Sequence, residues 1–238
     1  MTSTNLTEEE KKKHISVDEY ELGKILVFVS YSNDDKILAG RIKLILEGYG
    51  LSVFLAHDDI PPLCDWQMEI SKNLKKCDVF LPILTHSFCE SEWCDQETGM
   101  AFALDKLIVP LKVDIAPYGF INKIQACKLD VDRPKRTCHK IIEVLKANQF
   151  SDRLFDCLLR DLESAPTFDY ANKTLEQISE YEKINKKQIN QIIRIAIRNN
   201  QFRLSRKGIP FLASITKNHS SKINPFLLKA YNKVKDDF

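Results

Sequence analysis

The sequence predicts an α/β protein, with a flavodoxin-like sheet of five parallel strands followed by a small all-helical domain. Over residues 25–149, short apolar runs without internal alternation are each followed by a segment with helical apolar spacing. This pattern is typical of a parallel sheet covered by helices on both faces. Five strands in about 125 residues fit the order 2-1-3-4-5. After Phe150 the strand signals stop and only helical periodicity follows.

The predicted elements follow in order along the chain. Strands are expected at 25–30, 51–55, 79–84, 107–113 and 126–129, and helices at 34–49, 65–76, 91–105 and 134–148. Further helices are expected at 151–163, 169–183, 186–199, 208–216 and 225–235. We therefore divide the chain into a charged leader (1–24), an α/β domain (25–149) and a basic helical domain (150–238).

Composition and cysteine usage indicate a soluble protein without a disulfide framework. The sequence is 44% hydrophobic and 29% charged, which is typical of globular domains. Neither the hydrophilic start of the chain nor any later run offers the roughly 18 apolar residues needed to span a bilayer. The seven cysteines form no CxxC pair and no zinc-type spacing, so we expect reduced, mostly buried thiols and no metal site. We expect a cytoplasmic protein that does not bind membranes.

Charge is distributed unevenly along the chain. Thirteen basic residues against two aspartates give residues 183–238 a charge of +11, and the total of +2 leaves −9 for the remainder. Such a run most often forms a solvated helical face, and an acidic protein or nucleotide partner is the next interpretation. Segments 186–199 and 201–209 do not match a helix-turn-helix, which disfavours nucleic acid. We expect the helical domain to bind a protein partner or trigger.

No glycine-rich phosphate loop is present. Gly48-Tyr49-Gly50 lacks a third glycine and follows a helix, whereas the dinucleotide fingerprint follows a strand. No GxxxxGK motif occurs either. A nucleotide would therefore have to be held without the usual backbone cradle.

The strongest motif lies at residues 84–103. It places Trp93, Cys94 and Glu97 at the start of an amphipathic helix that follows a buried strand. Residues four apart lie on one helical face, so Trp93 and Glu97 can line one pocket at the carboxyl edge of the sheet. The positive end of the helix dipole favours an ionised carboxylate there. Glu97 is thus the leading candidate for a functional carboxylate, and a solvated helix residue is the plain alternative.

Together with other segments, this motif resembles the signature of a TIR (Toll/interleukin-1 receptor) domain over residues 25–149. The matching pieces are Phe28-Val29-Ser30-Tyr31-Ser32 with Asp35, Gly50-Leu51-Ser52-Val53-Phe54, Asp58-Asp59-Ile60-Pro61-Pro62 with Trp66, Leu84-Thr85, Ser87-Phe88, and Ser91-Glu92-Trp93-Cys94-Asp95-Gln96-Glu97. The resemblance implies the TIR fold. It also implies either cleavage of NAD or the assembly of signalling complexes.

For the NAD-cleaving members of this family, the resemblance implies a catalytic glutamate at Glu97, with NAD+ as the substrate and no separate cofactor. Breaking the nicotinamide–ribose bond builds positive charge on the sugar, which a carboxylate held against the ribose stabilises. The remaining candidates are substrate-binding residues. We expect aromatic walls from Tyr31, Trp66 and Trp93, and polar contacts from Ser32, Asp35, Asp58 and Ser87.

Three functions remain in view, the third being an effector tethered to nucleic acid through the basic tail. The first is an NAD+ nucleosidase in prokaryotic antiviral defence signalling, which releases nicotinamide and leaves ADP-ribose or a cyclic isomer of it. The family implies self-association through the TIR domain, with the loop at 56–65 of a neighbouring subunit completing the pocket. The second is a non-catalytic adaptor that docks its partners through residues 58–66 and the adjacent helices.

Overall fold

The computed structural model describes residues 23–55, 59 and 65–235. In this part of the chain six short strands form one parallel sheet. They are β1 Leu26–Ser30, β2 Ser52–Leu55, β3 Val79–Leu84, β4 Leu107–Ile108, β5 Leu111–Lys112 and β6 Cys127–Lys128. The order across the sheet is β2-β1-β3-β5-β6, and β4 also pairs with β3.

The fourth predicted strand, at 107–113, is interrupted. Its halves β4 and β5 both pair with β3 and keep one register, with Val79 opposite Leu107 and Ile83 opposite Leu111. Pro110 stands between them and has no N–H to donate to the ladder, so continuous pairing ends there. With β4 and β5 counted as one interrupted strand, the predicted order 2-1-3-4-5 is confirmed.

Helices flank the sheet and follow its strands. In the first part of the described chain they are α1 Lys36–Glu47, α2 Trp66–Lys76, α3 His86–Cys89, α4 Glu92–Ala103 and α5 Pro134–Ala147, with short 3-10 turns at Asn33–Asp35 and Gly119–Ile121. The sequence did not predict α3 or the two 3-10 turns. The four-residue helix α3 is too short for a periodic pattern, and the Thr85 side chain caps it by accepting the Phe88 N–H.

One face of the sheet positions the candidate site. Side chains alternate between the two faces of a strand, so Leu26, Phe28 and Ser30 point to one face. Phe28 packs there in a buried cluster with residues of α2 and α4, including Ile70 and Ala101. This face of β1 is therefore covered by α2 and α4.

The remaining described residues form a helical unit. Its helices are α6 Ser151–Glu163, α7 Phe168–Ile178, α8 Lys186–Arg198, α9 Asn200–Arg203, α10 Gly208–Asn218 and α11 Pro225–Lys235, with a 3-10 turn at Ser220–Lys222. An apolar cluster runs from Phe155 to Tyr231 and forms the core of this unit. Asn185 and Gln188 form a reciprocal capping box at the start of α8.

Two details of the helical unit differ from the sequence prediction. The helix expected at 169–183 ends at Ile178, where the Ser179 hydroxyl donates to the Leu175 carbonyl and the Tyr181 N–H donates to the Ile178 carbonyl in a turn. Helix α9 was not predicted, and the Asn199 side chain caps it. The chain divides into two compact units between Val144 and Leu145. The boundary predicted at 149/150 lies shortly after this division and stays a prediction.

No helix in the described ranges combines the length and apolar character required to cross a membrane.

Candidate active site

Glu97 lies in the second turn of α4, facing inward. The Ser91 side chain caps this helix by accepting the Cys94 N–H at 3.4 Å. Only 3% of Glu97 is exposed, so the expectation of a solvated helix residue does not hold. A buried carboxyl group requires a polar partner, since burial without one is costly.

Ser30 supplies that partner. Its hydroxyl, at the carboxyl end of β1, donates to Oε2 of Glu97 at 2.5 Å. Ser30 itself is fully buried. No described cation forms an ion pair with Glu97, so a neutral donor holds the carboxyl group. The two residues are 67 positions apart in sequence, and the fold alone brings them together.

Burial dominates the electrostatics of this pair. It raises the pKa of Glu97 to about 7, and the hydrogen bond from Ser30 opposes this increase by stabilising the charged form. This corrects the expectation from the helix dipole. The dipole acts mainly within the first helical turn, and Glu97 lies beyond it in a desolvated position.

A cavity of about 210 Å³ opens beside Glu97, between α2 and α4. Its lining comes from both helices: Gln67, Ile70, Ser71 and Leu74 from α2, and Trp93, Gln96, Glu97 and Met100 from α4. Trp93 and Glu97 thus share one helical face and one cavity, as the spacing predicts. The Trp66 ring meets the Trp93 ring edge-on, with centroids 4.4 Å apart. Trp93 therefore forms the aromatic edge of the cavity, and Trp66 packs against its ring without lining the cavity itself.

Two other predicted residues, Asp35 and Ser87, lie in a different hollow. This second hollow, of about 390 Å³, lies at the carboxyl ends of β1, β3 and β5, and Asp34, Thr85 and Asp114 also line it. The Thr85 hydroxyl donates to Asp35 at 2.6 Å, and the Ser87 hydroxyl donates to Asp34 at 3.1 Å. In open α/β sheets such a position, where the strand order reverses, is where ligands bind. We call this the switch-point hollow.

The structure does not bring Tyr31 or Ser32 to the Glu97 cavity. Tyr31 is fully buried, and strand alternation directs it away from the face that carries Ser30 and Glu97. Its expected stacking against a substrate stays a prediction. Ser32 is half-buried and begins the 3-10 turn, where its carbonyl accepts the Asp35 N–H.

The predicted residue Asp58 lies outside the described residues, together with most of the loop at 56–65. Two loop residues are described. Asp59 accepts hydrogen bonds from Lys43 and from the Leu55 N–H, each at 2.7 Å. Asp65 caps α2 by accepting the Met68 N–H at 3.1 Å. Asp59 therefore joins the loop to Lys43 of α1 and to the end of β2, and Asp65 serves as the cap of α2.

Cys94 is the other titratable group beside the site. It is buried, and burial raises its pKa to about 11, so the thiol is neutral near pH 7. Its thiol also contacts the Ser30 hydroxyl. The expectation of mostly buried thiols is confirmed for Cys77, Cys94, Cys138 and Cys157. No group of three His, Cys, Asp or Glu side chains among the described residues could hold a metal ion.

Ser30 is the functional candidate that the sequence prediction missed. A signal for it exists in β1, where the alternation Leu26, Phe28, Ser30 places a hydroxyl at a core-facing position. A buried polar side chain in an apolar strand needs a hydrogen-bond partner. The identity of that partner could not be read from the sequence, because it lies on a distant helix.

Comparison with known proteins agrees with this architecture. Residues 27–142 match the family model of the TIR domain. A curated plant protein, the probable 2′ cyclic ADP-D-ribose synthase BdTIR of Brachypodium distachyon, is 32% identical over 68 residues. That match covers 29% of this chain and 30% of the relative, so the chain spans less than a third of its length.

Among solved structures, the TIR domain of the Toll-related receptor TRR-2 from Hydra magnipapillata is similar, with a TM-score of 0.43 and 15% identity. The match covers 50% of this chain and 97% of that one. The match of residues 27–142 to the family model places the α/β unit in the TIR class. Residues 27–142 form a TIR domain, and the helical unit follows it.

Proposed function

We propose that this protein is an NAD+ nucleosidase, with Glu97 as its catalytic carboxylate. The observation that carries the proposal is a buried, hydrogen-bonded carboxyl group on the lining of a cavity, without a neutralising cation among the described residues. Comparison adds support, because a relative over part of the chain is named as a probable cyclic ADP-ribose synthase. NAD+ is the substrate in this proposal, and no further cofactor is required.

The chemistry fits a single carboxylate. The bond between the nicotinamide nitrogen and C1′ of the ribose breaks, and its electron pair leaves with nicotinamide, which becomes neutral. Positive charge then develops on the sugar, and an anion beside it stabilises the transition state more than the ground state. A site with little water strengthens this attraction. Water, or a hydroxyl of the same substrate, attacks C1′ and loses a proton, giving ADP-ribose or a cyclic isomer.

Only the ionised form of Glu97 can act in this way. Because the pKa of Glu97 is raised to about 7, the fraction of active carboxylate increases as the pH rises through that value. The rate of cleavage should follow the same rise, since no general acid is needed for a leaving group that already carries positive charge.

The cavity beside Glu97 accommodates part of the substrate. Its volume of about 210 Å³ is below the roughly 300–1,000 Å³ of sites that enclose a whole small ligand. We assign it the nicotinamide and the adjoining ribose, with Trp93 as the aromatic edge and Trp66 supporting the Trp93 ring. The other predicted contacts, from Tyr31, Ser32, Asp35, Asp58 and Ser87, stay predictions.

Self-association belongs to the same proposal. A cavity too small for a whole dinucleotide is consistent with a site that the 56–65 loop of a second subunit completes. We further propose that the helical unit, whose tail carries +11, binds a protein trigger, and that the enzyme acts in the cytoplasm in prokaryotic antiviral defence. These statements depend on the family resemblance and on charge.

The test compares two glutamates of the same helix. Purified protein is incubated with NAD+, and nicotinamide release is followed for wild type, Glu97→Ala and the control Glu92→Ala, whose side chain is exposed. Loss of the charge-stabilising group should slow cleavage about 10²- to 10³-fold, whereas Glu92→Ala should match wild type. Mass spectrometry of the product separates hydrolysis from cyclisation. Equal turnover by wild type and Glu97→Ala would end the assignment.

A non-catalytic adaptor is the second candidate. Its predicted docking surface includes α2, where Met68, next to the 56–65 loop, is 67% exposed and therefore accessible to a partner. The adaptor hypothesis predicts stoichiometric partner binding without loss of NAD+. Partner binding would then weaken in Met68→Lys and remain unchanged in Glu97→Ala.

A further inference from the structure

Ser30 has an unusual position for a serine. It ends the buried strand β1, lies opposite Pro82 of β3, and is fully buried. Its hydroxyl bonds to no local carbonyl but donates across the domain to Oε2 of Glu97 at 2.5 Å. A hydrogen bond from a neutral donor to a carboxylate is short and comparatively strong.

The two partners differ in their freedom to move. Ser30 has one side-chain torsion and sits on a central strand that pairs on both sides. Glu97 has three torsions and borders an open cavity. A rigid donor therefore fixes a flexible acceptor. Ser30 engages Oε2, whereas Oε1 accepts no hydrogen bond from the described residues and so is left for a substrate.

We propose that Ser30 is a positioning residue for the cleavage reaction, and that its hydroxyl holds the Glu97 carboxyl group in place with Oε1 directed to the substrate. This inference rests on the proposed function. Misplacement of a reacting group by about 1 Å can cost about 100-fold in rate. We therefore expect Ser30→Ala to lower kcat about 10- to 100-fold and to change KM much less.

The pH profile distinguishes this role from a merely structural one. The Ser30 hydrogen bond lowers the pKa of Glu97 against the effect of burial, so its removal raises that pKa further. The acid side of the rate profile should then move to higher pH, by about one pH unit for a hydrogen bond to a charged group. Apart from Glu97, the lining of the cavity carries no charged side chain. Cys94, which also contacts Ser30, stays neutral with its pKa of about 11.

The experiment measures nicotinamide release against pH for wild type, Ser30→Ala, Ser30→Thr and the control Ser52→Ala. Ser52 begins β2 and lies outside the Glu97 cavity. Ser30→Thr keeps the hydroxyl and should retain the wild-type pH profile, while Ser52→Ala should match wild type throughout. If Ser30→Ala does not fold, the similarly sized Ser30→Cys, with its weaker donor, replaces it and should show the same alkaline displacement.

A second measurement does not depend on activity. Infrared difference titration follows the protonated carboxyl band of Glu97, with Glu97→Gln as the blank, and its midpoint should rise in Ser30→Ala. An active wild type with the same profile and midpoint in Ser30→Ala overturns the Ser30 inference and leaves the proposed function intact. A wild type that releases no nicotinamide overturns both, even if the midpoint moves.

Discussion

Two carboxyl groups at the same edge of the sheet are held in similar ways and differ in their surroundings. Glu97 and Asp35 each accept a hydrogen bond from a hydroxyl, Ser30 at 2.5 Å and Thr85 at 2.6 Å. Glu97 is almost fully buried beside a cavity with an otherwise uncharged lining. Asp35 is half-buried, and Asp34 and Asp114 add like charge around it.

The difference shows that burial, more than the hydroxyl donor, sets the pKa of each carboxyl group. Burial is the largest influence on both groups and raises both pKa values, and in both the hydrogen bond opposes it. Only for Glu97 is the desolvation deep enough to bring the pKa to about 7. A group that titrates near neutral pH, beside an uncharged cavity, is suited to stabilise a developing cation. Asp35, which has the carboxylates Asp34 and Asp114 nearby, is suited to polar contacts with a ligand.

The largest effect is expected when each of the two carboxyl groups, Glu97 and Asp35, is replaced in turn by the amide of the same shape. Glu97→Gln should lower NAD+ cleavage about 10²- to 10³-fold, because the anion is lost. Asp35→Asn should lower it less than about 10-fold, because a polar contact survives. Steady-state rates of nicotinamide release measure both. Equal losses of rate in the two variants would show that the Glu97 cavity and the switch-point hollow do not differ in their contribution to cleavage.

The pH dependence of folding stability tests the burial of Glu97 without any measurement of activity. A carboxyl pKa raised from 4.5 to about 7 means that the folded state binds the proton more tightly than the unfolded state. This stabilisation is complete below the unfolded pKa and is lost as the pH rises through the folded one.

Wild type should therefore lose roughly 2–3 kcal/mol relative to Glu97→Gln between about pH 5 and about pH 8. Urea unfolding of both proteins at the two pH values measures the change. A difference in stability that is constant with pH would show that Glu97 is not desolvated as described.

Of the Glu97 cavity and the switch-point hollow, only the Glu97 cavity is lined by an indole, that of Trp93. Trp93→Ala removes an indole from the Glu97 cavity and leaves the Trp66 ring without its edge-on contact. We expect about a 10-fold loss in kcat/KM, in line with the about 1.4 kcal/mol that a single aromatic contact provides. Trp93→Phe should retain most of the rate. Full activity in Trp93→Ala would exclude this wall from the substrate site.

Much of the fold follows from periodicity in the sequence. The five apolar runs and their intervening helices predicted the sheet and its order, and the four-residue spacing placed Trp93 and Glu97 on one face of α4. The split at Pro110 was not predicted, although a proline within a strand is a known break in a ladder. The sequence pattern predicts which face of a helix or strand carries a residue, but it does not predict how deeply the side chain is buried.

The remaining differences between the sequence prediction and the structure concern how deeply side chains are buried and which distant residues they contact. The helix dipole suggested a readily ionised Glu97, whereas the structure buries it and raises its pKa. Tyr31, directly after β1, is fully buried and does not line the cavity. The bond from Ser30 to Glu97 joins a strand to a distant helix. No local pattern encodes such a contact, because it exists only after the sheet has assembled.

The central claim is that an ionised Glu97 cleaves NAD+. The most direct test is the rate of nicotinamide release by wild type and Glu97→Gln from about pH 5 to about pH 9, a range that spans the expected titration. The account predicts that the wild-type rate rises through about pH 7 and that Glu97→Gln stays at least about 100-fold slower throughout. Cleavage by Glu97→Gln at the wild-type rate, or no cleavage by wild type at any pH, would contradict it.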